Sequence, residues 1–563
     1  MNFKDFKYEH LDFENLKEEY QSLLEKLKSA DNSEEFMTVF NDINKFRGHI
    51  FTMISICSVR HDIDTSDEYY DTENTYWDNT SPLLQVYENE FFDIMLNCPF
   101  RNELDIPSIY FELAENARKS FDESIIEDLQ EENRLSTEYG KLKASAKIEL
   151  DGEIYNLASI ASKISSDDRA MRKKAYDAMV NFYAEHEDDF DDIFDSLVKV
   201  RDRMAKKLGY KNFIELGYLR MNRLDYDEKM VENYRRQVVD YMVPVANELY
   251  KRQASRIGVD KLLAYDANYE FKTGNPKPHG TKDELVASAL KMYEEMSKET
   301  GEYFEMMCDS ELFDLETKPN KAMGGYCTDF FDYKVPFIFS NFNGTQGDVD
   351  VLTHEAGHGL QSYLTMQTVN IPDICFPTYE SCEIHSMSME FFAHPWIHYF
   401  FKEDSDKYKF YHIASALTFV PYGCLVDHFQ HEIYAKPEMT KKERKECFRR
   451  LEKIYKPHLD YSGYPMLEEG TYFYRQNHIF QSPFYYIDYT LAQVCALQFY
   501  KRTLEKDPKV WEDYIHLCRL GGTKSFLNLV EEANLKSPFA DGVIKEVVDA
   551  MVEQLATFDD SEL

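Results

Sequence analysis

Positive charge is scarce in this 563-residue chain: Lys and Arg number 64 against 102 Asp and Glu, a formal net charge of -38 at pH 7. A field of that sign repels phosphodiesters and anionic headgroups, so neither nucleic acid nor an acidic membrane surface is expected as a partner. Long apolar runs are missing too. None approaches the ~18 residues of a membrane-spanning helix. The opening MNFKDFKYEHLDFENLKEEY scatters charge where a secretory signal needs an apolar stretch, and it is too acidic for a transit peptide. Ten cysteines without a CxxC pair are too few for a disulfide framework and offer no zinc ribbon or dithiol redox site, which points to a reducing cytoplasm. With only 21 Gly and 18 Pro, the chain cannot turn every ~8–12 residues as an all-β protein does. No internal repeat or low-complexity linker interrupts it.

Apolar and aromatic surface, by contrast, is abundant. Hydrophobic residues make up 43% of the chain, with 40 Tyr and 40 Phe, well outside the composition that leaves acidic chains unfolded. Most of it reads at helical period: Leu16, Tyr20, Leu23 and Leu27 recur at three or four, as do Phe46, Ile50, Met53, Ile54 and Cys57. Two acidic runs, 61–74 and 185–195, read as solvated helix faces. The first is not a calcium loop, since Asp67 stands where an EF-hand needs Gly. One stretch breaks the helical rhythm. Gly324, Gly325, Pro336 and the β-rich Val335 to Phe342 predict a small sheet, followed by a turn at Asn343–Thr345 and a helix start with Thr345 and Asp348 at capping-box spacing.

That helix carries His354-Glu355-Ala356-Gly357-His358. At ~100° per residue, positions i and i+4 differ by about 40° and ~6 Å of rise, so both imidazoles can face one ion while Glu355 flanks it. A catalytic site of this type needs a third protein donor and an open position. Downstream, PTYESCEIHSMSMEFFAHPW offers Glu380, Glu383 and Glu390. Glu383 and Glu390 lie ~10 Å apart along a helix, too far to share one ion, and geometry alone permits either Glu380 or Glu383. His385 falls on the opposite face from Glu383 and reads as a packing or surface residue.

HEAGH followed 25 residues later by Glu383 and then Glu390, with GGYC at 324–327, PFIFSNFNGT, KLGYKNFIELGYLRMNRLDYD at 207–227 and QNHIFQSPFYYIDYTLAQ at 476–493, resembles the oligoendopeptidase F and thimet oligopeptidase family of zinc metallopeptidases. The resemblance covers most of the chain from about 160 onward. It implies a mainly α fold in which two helical lobes enclose a deep substrate channel, with a small β-sheet next to the HExxH helix. The lobes are placed at 1–195 and 196–563, the second being catalytic. It also implies one Zn2+ per chain held by His354, His358 and Glu383, with Glu390 orienting an imidazole N–H. The expected activity is hydrolysis of internal bonds in short unstructured peptides: a zinc-bound water attacks the scissile carbonyl and Glu355 is general base, then acid. The run Val335 to Phe342 is the place for an edge strand that pairs with an extended substrate.

A tetrahedral intermediate needs a second donor besides the metal, and a phenol that stays neutral at pH 7 suits the task. If the segment from Phe484 is helical, Tyr489 shares a face with Tyr485 and with Tyr486. The family's His and Tyr set carries over to His478 and Tyr489 and to Tyr485 or Tyr486, while Ile487 stands where relatives commonly have another Tyr. Two rival readings remain in view. A di-iron carboxylate protein needs a second ExxH, which the chain lacks. A helical binding protein with a fortuitous HExxH leaves Glu383 without a purpose.

Overall fold

The N-terminal stripe is buried as the period requires, with one shift. In the computed structural model, which describes residues 1–563, helix Phe13–Lys28 buries Leu16, Tyr20, Leu24 and Leu27, so Leu24 takes the inward place expected of Leu23. Helix follows helix through the whole chain, 25 in all, against five short strands. The fold is mainly α. The N-terminal helices close a small core around Tyr20, Phe36, Phe40, Phe91 and Tyr110, and one large apolar core runs through the remainder. Helix Glu187–Lys207 passes position 195 unbroken, and Phe190, Phe194 and Leu197 on either side of that position share the large core.

The sheet beside the motif helix has three strands, with Val335–Phe342 in the middle. It runs parallel to Phe313–Glu316 and antiparallel to Tyr326–Phe330, pairing Tyr326 with Phe339 and Thr328 with Phe337. The edge role expected of Val335–Phe342 therefore belongs to Tyr326–Phe330. Pro336 to Ser340 are all buried, which suits a strand covered on both faces rather than an edge. Pro336 is tolerated because Phe313–Glu316 joins only from Ile338 onward, so no ladder bond is asked of its missing N–H on that side.

The motif helix spans Gly347–Thr365. Asp348 does not cap Thr345 as its spacing suggested. Its two carboxylate oxygens accept from the backbone N–H groups of Asn343 and Gly344 at 2.8 and 2.9 Å, closing the turn that leaves the strand. The acidic run 61–74 is likewise no continuous solvated face. It contains the end of helix Ser33–Ile63 and the start of helix Glu68–Leu96, and Asp62 accepts from the Tyr326 hydroxyl at 2.9 Å, bracing the edge strand.

The decisive packing is between the motif helix and helix Tyr379–Phe392. A Cβ on Gly357 would stand 2.6 Å from the carbonyl oxygen of His385 and 2.7 Å from Cα of Ser386. Only glycine lets the two backbones approach this closely, and this brings Glu383 opposite the two histidines.

Candidate active site

Donor atoms of His354, His358 and Glu383 all lie within 4.8 Å of one another. Nε2 of His354 is 3.1 Å and Nε2 of His358 is 3.3 Å from the same Glu383 oxygen, Oε2. Ligands bound tetrahedrally at ~2.0–2.1 Å stand about 3.3 Å apart, so the spacing fits one small divalent ion. A charge-assisted hydrogen bond is shorter, ~2.7–2.9 Å, and the other nitrogen of His354 makes one: Nδ1 donates to Glu390 Oε1 at 2.7 Å. His354 thus turns one nitrogen to the donor group and is held by the other. Glu383 is 1% exposed; Ser386 Oγ donates to its Oε2 at 2.8 Å and the Tyr485 hydroxyl to its Oε1. Burial alone would raise its carboxyl pKa, but the facing imidazoles outweigh it and hold Glu383 well below the ordinary range. Glu380 lies in a different environment. It is buried beside Asp488 and Arg223 and pushed up by burial and by Asp488, and it is not among the three donors.

Glu355 is 5% exposed and its Oε2 is buried without a hydrogen-bond partner. Burial raises its carboxyl above the ordinary value. An unpaired buried carboxylate oxygen is costly to keep; Glu355 itself lines a cavity of about 510 Å³ together with Gly325, Cys327, Asp329, His354, His358 and Glu383 among others. His478, Tyr485 and Tyr489 also line this cavity. Tyr486 does not: its ring packs on His478, Tyr422 and Phe419 behind the wall.

The protonation of that wall follows from its bonds. The Tyr422 hydroxyl donates to Gln476 Oε1 at 2.9 Å, which turns the Gln476 amide nitrogen toward His478 Nδ1, also at 2.9 Å. An NH2 group only donates, so Nδ1 accepts and the imidazole proton sits on Nε2, 3.1 Å from the Tyr489 hydroxyl oxygen. Burial pushes the His478 pKa down to about 4, so the ring is neutral at pH 7. With its oxygen already accepting, Tyr489 keeps its own hydrogen to donate.

Several cavity residues were assigned no role in the sequence. Tyr379 is 46% exposed and packs against Tyr485 with the rings tilted and centroids 4.4 Å apart. Arg220, Asn222, Ile109 and Leu113 complete the lining from distant parts of the chain. His385 is fully buried, with neither ring nitrogen bonded, in keeping with a packing role.

Two histidines one helical turn apart, a carboxylate from a second helix and a flanking free carboxylate define the donor set of a one-metal hydrolase. The Peptidase family M3 model matches residues 163–549 and the Peptidase M3 N-terminal domain model residues 3–121. The chain belongs to peptidase family M3. It is 24% identical over 376 residues to the oligoendopeptidase F homolog of Borreliella burgdorferi, covering 64% of this chain and 61% of that protein. To the group B oligopeptidase PepB of Streptococcus agalactiae it is 22% identical over 401 residues, 68% and 62% of the two chains. Among solved structures, PZ peptidase A with an inhibitor superposes over 100% of both chains, with a TM-score of 0.98 and 48% identity. An oligoendopeptidase-F from Enterococcus faecium, at 16% identity and a TM-score of 0.63 over 98% of this chain and 99% of that one, shares the fold.

Proposed function

We propose that this chain is a zinc-dependent endopeptidase acting on short, unstructured peptides. The observation that carries the reading is the donor group of His354, His358 and Glu383, lining one cavity with the Glu355 carboxyl, which is not one of the three donors. Held by those three residues, one Zn2+ would supply Lewis acidity, lowering the pKa of water toward ~7 and polarising the scissile carbonyl. Glu355 takes the proton of the attacking water on its free carboxylate and returns it to the leaving amine. Tyr489, with its hydrogen free, donates to the carbonyl oxygen as negative charge develops there, and neutral His478 holds the phenol in place. Tyr485 holds the Glu383 carboxylate. Tyr326–Phe330, the edge strand whose Cys327 and Asp329 line the cavity, offers main-chain groups to an extended peptide.

The enclosure and the family resemblance support the substrate class. Ile109 and Leu113 of helix Ser108–Ser120 line the cavity together with residues of the donor helices; this is the part of the two-lobe division, drawn near 195, that the reading uses. A folded protein cannot present its backbone at the bottom of such a space. Zinc stoichiometry of the purified chain, measured with chelator-sensitive cleavage of a peptide panel, tests the proposal. One zinc per chain and cleavage lost on chelation are expected. A chain that binds no zinc, or cleaves equally well without it, overturns the reading.

A further inference from the structure

Behind His354 the hydrogen bonds do not stop at Glu390. Its second oxygen, Oε2, meets His412 Nε2 at 2.8 Å, His412 Nδ1 meets His394 Nε2 at 2.8 Å, and His394 Nδ1 meets the Tyr500 hydroxyl at 3.3 Å. Every group behind Glu390 in this series is buried: His412 and His394 are 5% exposed and Tyr500 is 6%. The series joins the motif helix, helix Tyr379–Phe392, helix Ser405–Ala435 and helix Tyr486–Leu504, which also carries Tyr489. Nothing in the proposed chemistry uses His412, His394 or Tyr500.

The direction of each bond is fixed by elimination. An ionised carboxylate only accepts, so both His354 Nδ1 and His412 Nε2 carry hydrogens. For neutral rings, His412 Nδ1 is then a lone pair and must accept from His394 Nε2–H, which leaves His394 Nδ1 to accept from the Tyr500 hydroxyl. One assignment satisfies all four contacts. Burial holds His394 well below its ordinary pKa, in keeping with a neutral ring. The His412 ring is also clamped by packing, stacked with Phe391 at 4.4 Å and Tyr408 at 5.6 Å.

We propose that His412 is a positioning residue of the metal site: backed by His394 and Tyr500, it holds the Glu390 carboxylate in the orientation that aims His354 Nε2 at the donor group. The proposal rests on His354 being a zinc ligand. Partners that orient a ligating histidine typically contribute ~10–100-fold in metal affinity. His412 acts one bond further out, so its removal is expected at the lower end, about 10-fold.

The test is zinc affinity by competition with a chromophoric chelator, measured on the folded full chain beside the thermal midpoint. His412→Leu should bind zinc about 10-fold more weakly. His412→Gln, whose side-chain amide can still donate to Glu390, should recover most of that loss. Phe391→Leu removes the stacking and leaves the bonds, so it should lower the midpoint and leave zinc affinity unchanged. Wild-type affinity in His412→Leu, or a loss in Phe391→Leu equal to that in His412→Leu, overturns the proposal. Should His412→Leu not fold, His394→Phe carries the test by removing the donor behind His412; unchanged affinity there also overturns it. Proton positions from 15N-histidine NMR give an independent reading: hydrogen on Nε2 alone is expected for both His412 and His394, and any other tautomer or a cationic His412 refutes the assignment. A wild-type chain that binds no zinc would instead remove the reading of the donor group, and the tautomers would still decide the order of the bonds.

Discussion

Gly357→Ala tests whether close helix packing sets the donor spacing. The added methyl would stand 2.6 Å from His385 O and 2.7 Å from Ser386 Cα, backbone atoms that no rotamer change can move. Comfortable contact starts near ~3.5 Å, so the two helices must part by roughly 0.8 Å. Glu383 is two residues from His385 on the displaced helix, and its Oε2 now stands 3.1 and 3.3 Å from the imidazole nitrogens. The same displacement opens these distances to about 4 Å, beyond the ~3.3 Å edge of a zinc tetrahedron. Overpacking of this kind costs about 1–3 kcal/mol of stability, and a misplacement near 1 Å at a reacting centre costs on the order of 100-fold in rate. The assay pairs denaturant unfolding with zinc competition and kcat/KM on one peptide. All three should fall together in Gly357→Ala. A variant that keeps wild-type zinc affinity and turnover would show that the glycine contact does not set the site.

Glu355→Gln should keep zinc, measured by metal analysis, while kcat falls by about 10²–10⁴; an active, zinc-loaded variant removes Glu355 as the base. Tyr489→Phe should lower kcat and kcat/KM together by about 10²–10³ with zinc content and melting temperature unchanged. If it loses stability while each folded molecule keeps full turnover, Tyr489 is a packing residue. Tyr485→Phe removes the donor to Glu383 Oε1 and should be read first in weaker zinc binding rather than in kcat. Burial pushes His478 from its ordinary 6.5 down to about 4, so between those values the unfolded chain binds more protons than the folded one. Stability therefore declines as pH falls from 6.5 toward 4, and His478→Gln should flatten the melting-temperature profile in that window; an identical profile contradicts the buried neutral ring. Saturating zinc at ~100 times its Kd should add about 2.7 kcal/mol to unfolding, seen as a higher melting temperature that chelation reverses.

The helical class, the sheet before the motif helix and the pair His354 and His358 were legible because each rests on a local period. Spacing of three or four fixes a helix face, and spacing of four fixes two imidazoles on it. The choice between Glu380 and Glu383 was not local. Their separation of one turn places them near different groups, Glu380 by Arg223 and Asp488, Glu383 by the imidazoles, and only the packed helices decide which meets which. Resemblance pointed to Glu383, and the packing at Gly357 gives the physical reason. The exchange of edge and central strand has a similar origin: only Val335–Phe342 read as a strand, and its place in the sheet depends on Tyr326–Phe330 and Phe313–Glu316, which the sequence pattern did not reveal.

The wall facing the donors was partly legible for a different reason. Tyr489 and Tyr485 share a helix face and could be paired on paper, but Tyr486, adjacent in sequence, stands ~100° around from Tyr485 and packs behind the wall on Tyr422 and Phe419. Phe484, at φ 69°, sets the turn before that helix. That left-handed backbone is strained for a phenylalanine and is held from both ends: Gln430 Oε1 accepts from its N–H at 2.8 Å and Arg223 donates to its carbonyl. Gly217 leaves room for its ring, since a Cβ there would stand 2.5 Å from it. Residues 217 and 223, 430 and 484 come from three separate segments, so no periodicity could connect them. Yet together they fix the direction in which the helix of Tyr489 starts, and thus which phenol faces the cavity.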